Sequence, residues 1–103
     1  MNQIAPDAAH QLYEAGTATF VDIRDPGAYQ AAHIAGALHL TDDTVRDFLV
    51  KTPKDRPIVV CCYHGNMSRD AAAWLNEQGF AEATSLVGGF EHWRNAYPDC
   101  IER

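Results

Sequence analysis

"PIVVCCYHGNMSRDAAAWL", residues 57–75, decides the fold. Its opening, "PIVVC", is the most apolar strand candidate in the chain and is bounded by Pro57. Its end begins the strongest helix pattern, "SRDAAAWLNEQG", with Ser68 as N-cap, Asp70 in the first turn and Gly79 as terminator. A buried strand that feeds a helix through a short polar loop is one βα unit, and the flanking sequence repeats the alternation. On the N-terminal side, "DAAHQLYEAG" predicts a short helix with Pro6 at its start and Gly16 at its stop, and "ATFVDI" (18–23) predicts a buried strand. "DPGAYQAAH" allows a short helix and "ALHL" a short strand. "TDDTVRDFLVK" predicts a helix capped by Thr41 or Asp42, with Val45, Phe48 and Leu49 on one face. On the C-terminal side follow a strand in "ATSLV" and a short helix in "GGFEHWRNAYP", ended near Pro98. This order predicts an α/β domain with a mainly parallel sheet and helices on both faces.

With 103 residues the chain fits one domain, 1–103, and is too short for two separate cores. Its 47% hydrophobic and 21% charged residues are those of an ordinary globule rather than a disordered chain. No apolar run approaches the ~20 residues of a membrane span, and no signal-peptide pattern opens the sequence, so the expected compartment is the cytoplasm. Three cysteines make no disulfide framework, which fits reduced thiols. The net charge of -6, with only 8 Lys and Arg, excludes a nucleic-acid surface.

In a parallel α/β sheet, ligands bind beyond the carboxyl ends of the strands. Three such ends are "IRDP" after Ile23, "CYHGNM" after Cys61 and "GGF" after Val87, of which the middle one is richest. Side chains alternate along a strand, so Cys61 is expected in the core and Cys62 at the opening of the loop. Gly65 and Asn66 accept turn conformations that aim successive N–H groups at one point, and the helix beginning at Ser68 adds its positive end. The backbone amides of Tyr63, His64, Gly65, Asn66, Met67 and Ser68 are therefore the expected anion cradle, and a thiol at its focus ionises easily. Cys62 is the candidate nucleophile. On position alone a spare buried thiol is an equal reading; the coincidence of strand end, glycine-containing loop and capped helix favours the nucleophile. A metal held by Cys61, Cys62 and His64 is disfavoured, because adjacent strand residues point to opposite faces and no paired ligand set is evident elsewhere.

Three motifs in order, "FVDIRDPGAYQAAHIAGALHL", "CYHGNMS" and "VGGFEHW", resemble the successive signatures of the rhodanese domain over most of the chain. The similarity is closest to the small single-domain thiosulfate sulfurtransferases of that family. The resemblance implies a five-stranded sheet flanked by helices, a catalytic cysteine at the first loop position, which maps onto Cys62, and no metal or organic cofactor. It also implies the reaction: the thiolate takes the outer sulfur of thiosulfate, sulfite departs, and the resulting persulfide passes its sulfur to cyanide or to a dithiol acceptor such as a thioredoxin-like protein. The sequence departs from the family at Met67, where many such loops carry arginine or a hydroxyl residue; a weaker hold on thiosulfate follows, and another sulfane-sulfur donor becomes an alternative.

Arg24 matches the family's D-x-R element with Asp22, either as positive charge on the pocket rim or, more in keeping with the residues, as half of an Asp–Arg network. Gly88 and Gly89 are further rim candidates, fitting a floor beside the loop. His33 belongs to "HIAGA", an architectural turn with Gly36 at its bend. Trp74 and Trp93 are expected as core anchors, His64 and Tyr63 at the rim or in solvent, and Cys100 as an exposed bystander. Three other functions compete. A persulfide relay to a protein partner would use the same Cys62. A non-catalytic rhodanese module would commonly lack that cysteine. A cysteine phosphatase needs arginine six residues after the nucleophile, and that position is Ser68.

Overall fold

A computed structural model describes residues 2–103. In chain order the elements are β1 (Gln3–Ile4), α1 (Pro6–Ala15), β2 (Thr19–Asp22), α2 (Pro26–Ala31), β3 (His33–Ile34) and β4 (Leu38–His39). They continue with α3 (Val45–Lys51), β5 (Ile58–Cys61), α4 (Met67–Glu77), β6 (Ala83–Leu86) and α5 (Gly89–Ala96). A 3-10 turn, Pro98–Cys100, and β7 (Ile101–Glu102) close the chain. Five strands form one parallel sheet in the order β1-β6-β5-β2-β4, with β5 at its centre. The mainly parallel sheet expected from the alternation, with the five strands that the resemblance implies, is therefore the one observed.

The period-2 geometry of a strand sorts the sheet residues into two cores. Ile58 and Val60 of β5 join Val21, Phe48, Ala72, Leu75 and Phe80 on the face covered by α3 and α4. Val59 and Cys61 point the other way, to Ala9, Phe20, Leu86, Phe90 and Trp93 on the face covered by α1 and α5. All four β5 residues are buried, as a strand enclosed on both faces requires. Trp93 is completely buried and edges against Phe20 and Tyr13, so its assignment as a core anchor holds.

Several local expectations are corrected. Trp74 is 41% exposed: α4 turns Ala72 and Leu75 to the core, and the indole instead borders a surface groove with Ile23, Leu40 and Val45. Helix α3 starts at Val45, later than a cap at Thr41 or Asp42 requires, because the Thr44 hydroxyl accepts from Thr41 N–H and donates to the His39 carbonyl in a preceding turn. Ser68 is not the N-cap of α4; it is the second helical residue, Asn66 holds the cap position without a side-chain capping bond, and the serine side chain serves another partner. Cys100 is not an exposed bystander: its backbone is pinned, the carbonyl accepting from Ala35 N–H at 3.0 Å and from the Trp93 indole N–H at 3.2 Å. The antiparallel pair β3–β7 that encloses this contact spans nearly 70 residues of sequence and has no local signature.

Two strand ends meet at the site. Strands β2 and β5 run in register from Thr19↔Ile58 to Asp22↔Cys61, and Ile23 N–H continues the ladder to the Cys61 carbonyl. Beyond them the chain turns in opposite directions, β2 toward β4 and β5 toward β6, which is where an open parallel sheet leaves a crevice.

Candidate active site

Alternation along β5 sends the Cys61 side chain inward and leaves Cys62 to start the loop. Cys61 is completely buried; desolvation, reinforced by the Asp22 charge, pushes its thiol well above the ordinary range. Cys62 is also buried, at 1% exposure, but its surroundings are polar. Its Sγ receives the Gly65 N–H at 3.2 Å and the Ser68 N–H at 3.3 Å, and lies 3.2 Å from the Ser68 hydroxyl. Burial pushes this thiol up, yet the Ser68 hydroxyl together with the N–H groups of Ser68, Gly65 and His64 outweighs it and brings the thiol below its usual value. Adjacent cysteines thus differ in opposite senses because one faces hydrocarbon and the other faces donors.

Ser68 has a second contact that the sequence did not reveal. Its Oγ is 2.6 Å from that of Ser85, a fully buried residue of β6, and the Ser85 hydroxyl donates to the Gly65 carbonyl at 3.4 Å. Each hydroxyl has one proton, so the row has two arrangements. With a neutral thiol, the protons point from Cys62 to Ser68, to Ser85 and to the Gly65 carbonyl. With a thiolate they reverse, Ser85 donating to Ser68 and Ser68 to sulfur. Ser85 sat in sequence as an ordinary strand residue, and only its register opposite Val60, one position before Cys61, brings it under the loop.

Ser68→Ala tests this row directly. Thiolate is the alkylated form, so the iodoacetamide rate of Cys62 rises with pH through the thiol's pKa and levels off above it. Removing the hydroxyl donor should move that rise upward by about 1 pH unit, the equivalent of one hydrogen bond to a charged group. An unmoved profile would show that the amides alone hold the thiolate.

The loop rests on the Gly88–Gly89 backbone. Gly89 lies at φ 60, and a Cβ there would come within 2.6 Å of the Cys62 and Tyr63 carbonyl oxygens. The absence of a side chain lets Phe90 N–H and Glu91 N–H bond those same two carbonyls, at 2.9 and 3.2 Å. Gly65, at φ 94, abuts the Gly88 amide and the Leu86 carbonyl in the same way. Gly88 and Gly89 therefore form the floor and are not rim residues.

Arg24 is not at the rim either. At 6% exposure its guanidinium turns inward, with Nη2 donating to Asp22 at 2.7 Å and to the Ala32 carbonyl at 2.6 Å, Nε donating to Asp22 at 3.0 Å, and the Phe90 ring 4.3 Å away. Of the two readings of the D-x-R element, this is the network. The surface depression over Cys62, about 150 Å³, is lined by Cys62, Tyr63, His64, Asn66 and Met67. Wider hollows, up to about 470 Å³, lie elsewhere and do not touch this thiol. The Tyr63 hydroxyl donates to Asp25, whose carboxylate also caps α2 by accepting Ala28 N–H, so the loop is tied to the neighbouring helix start. His64 is exposed and its ring makes no hydrogen bond to the sulfur, and Met67 stands 57% exposed at the mouth.

Residues 5–96 match the family described as "Rhodanese-like domain". The chain belongs to the rhodanese family. Among relatives of this rhodanese chain, the "Thiosulfate sulfurtransferase GlpE" of Pseudomonas paraeruginosa is 51% identical over 96 residues, covering 93% of this chain and 86% of the relative. The protein of the same name from Stutzerimonas stutzeri is 47% identical over 100 residues, covering 97% and 91%. In three dimensions the rhodanese fold resembles that of the human single-domain sulfurtransferase TSTD1, with a TM-score of 0.82 at 18% identity over 92% of this chain and 96% of the other. At that identity the likeness concerns the fold alone. Among the described residues no helix is long and apolar enough to cross a membrane.

Proposed function

We infer that the chain is a thiosulfate sulfurtransferase that works through a persulfide on Cys62. The observation that carries this reading is the one thiol held low by converging donors, lining a small surface depression. The naming of half-identical, near full-length relatives as thiosulfate sulfurtransferases supports the substrate.

In the first step the Cys62 thiolate attacks the outer sulfur of thiosulfate. A Cys–S bond forms to that sulfur, its bond to the sulfonate sulfur breaks, and sulfite leaves with the electron pair. The persulfide Cys–S–S⁻ keeps the negative charge, which the loop amides stabilise as they stabilise the thiolate. In the second step cyanide, or one thiolate of a dithiol such as that of a thioredoxin-like protein, takes the outer sulfur and restores the thiolate. No proton transfer to the leaving group is needed, which matches a loop without a positioned histidine. A cytoplasmic setting belongs to the same reading, because the route needs a free thiol. The direct test is a thiosulfate:cyanide assay for thiocyanate and sulfite together with intact mass after thiosulfate alone. The protein should gain one sulfur, removable by cyanide; no gain and no thiocyanate would reject the reading.

The loop supplies amides but no cationic side chain to the sulfonate end. Met67 occupies the mouth, and Arg69 is turned to Asn66, its Nη2 donating to Oδ1 at 3.1 Å. Met67→Arg is expected to lower KM for thiosulfate about fivefold with little change in kcat, the effect of one exposed charge-assisted contact of about 1 kcal/mol. An unchanged KM would place the sulfonate away from position 67 and favour a different sulfane-sulfur donor.

A further inference from the structure

On the face of the molecule formed by α1 and the C-terminal turn, three metal-ligating side chains converge. His10 and Glu14 are one turn apart on α1, and Cys100 comes from the turn that precedes β7. Glu14 Oε2 lies 3.5 Å and Cys100 Sγ 3.7 Å from the same atom, His10 Nε2, and all three ligand atoms fall within 4.8 Å of one another. In a catalytic Cys–His–carboxylate triad, the thiol and the carboxylate address different ring nitrogens, so that the ring relays a proton. Here both meet one nitrogen, which has either one proton or one lone pair. A proton on it satisfies one neighbour and not both, whereas a cation placed between the three satisfies all of them.

We propose that His10, Glu14 and Cys100 form a binding site for a zinc ion, with water completing the coordination. A thiolate, an imidazole and a carboxylate together suit zinc rather than the oxygen-preferring calcium or magnesium. Zinc–ligand bonds of about 2.0–2.3 Å in tetrahedral arrangement place ligand atoms roughly 3.3–3.6 Å apart. The two separations from His10 Nε2 are already close to that span. The third, between Glu14 and Cys100, closes by rotation of Glu14, whose side chain is largely exposed.

The other two ligands are held by their neighbours. The His10 ring is stacked on Tyr97 at 4.0 Å and 4°, with Trp93 at 5.9 Å. Cys100 is fixed through its backbone to Ala35, Tyr97 and Trp93. Binding displaces the Cys100 thiol proton and joins residues 90 positions apart, so the ion would fasten the C-terminal strand to the first helix. Sequence reading passed over the set because its members are distant along the chain.

The test uses zinc and cobalt(II) with the whole chain, with and without Cys62→Ser to remove the competing reactive thiol. Zinc titrated against a chromophoric chelator should show one equivalent bound in both proteins and raise the melting temperature. Cobalt should give a thiolate charge-transfer band in both that Cys100→Ser abolishes. Glu14→Gln alters an exposed side chain, so its metal-free melting should match the parent while zinc affinity falls about tenfold or more. No binding by the parent would overturn the proposal, as would a cobalt band that survives Cys100→Ser or disappears in Cys62→Ser. Equal zinc affinity in Glu14→Gln would also overturn the three-ligand site.

Discussion

Cys62→Ser is expected to abolish thiocyanate formation, by roughly a thousandfold or more, and to prevent the gain of sulfur seen by intact mass after thiosulfate. The reason lies in what activates the nucleophile. The site stabilises a charge that the side chain must generate by itself, since no histidine or carboxylate touches Cys62 Sγ to remove a proton. A thiol reaches its anion near neutral pH under that influence; an alcohol does not. The exchange is nearly isosteric and the loop bonds are shared with oxygen, so the melting temperature should be unchanged, which separates lost chemistry from lost fold. Cys61→Ser provides the contrast: Cys61 faces hydrocarbon on the other side of the sheet, and its variant should still gain one sulfur. Equal sulfur gain by Cys62→Ser would refute the assignment.

Arg24→Ala is expected to cost about 3–5 kcal/mol of stability, the scale for removing one partner of a buried ion pair. Asp22 is fully buried and receives the guanidinium at both oxygens, as well as the Arg24 backbone N–H at 2.9 Å. Without the arginine, a carboxylate stays in the interior with most of its donors gone, the Ala32 carbonyl loses its partner, and one face of Phe90 is uncovered. For a domain of this size, a loss of that order lowers the melting temperature by roughly 12 °C or more. Urea unfolding measures it. Arg24→Lys should recover only part, because an ammonium cannot reproduce the forked contact. A loss below about 1 kcal/mol would mean that the pair contributes little and that the neighbouring packing holds the strand end.

The large elements were legible because their signals are local. "PIVVC" is apolar throughout and bounded by proline, and the β5 residues are buried on both faces as such a run implies. Trp74 shows the limit of that logic. A large aromatic is expected as a core anchor, but which face of α4 meets the sheet is set by Ala72 and Leu75, and the indole lies one step outside. Two-residue strands such as β1, β3 and β7 were not legible, since pairing partners such as His33 and Glu102 are set by the finished fold.

The site divides in the same way. The position of Cys62 at a strand end and of the Gly65 and Ser68 amides beside its sulfur follows from strand, loop and helix within a dozen residues, whereas the expected amides of Tyr63, Asn66 and Met67 make no hydrogen bond to it. Ser68 was singled out as a helix cap because serine favours that position, and the structure gives its hydroxyl to sulfur instead. Ser85 had no local signal at all, because its meaning depends on the register of β6 beside β5. Arg24 carried the right partner, Asp22, but only the folded chain shows that the pair looks inward.

The hydroxyl row behind Cys62 has a consequence for how the protein meets a changing environment. Serines carry no charge at any pH the cell visits, so the sulfur's support does not switch on and off as a histidine's would when the medium passes through neutrality. When the thiol gives up its proton, the two serine hydroxyls follow by bond rotation, each keeping its own proton. Above the thiol's own ionisation the readiness of Cys62 should therefore be constant, so that alkalinisation is felt through the donor and acceptor molecules, while acidification reaches the enzyme only through Cys62 itself.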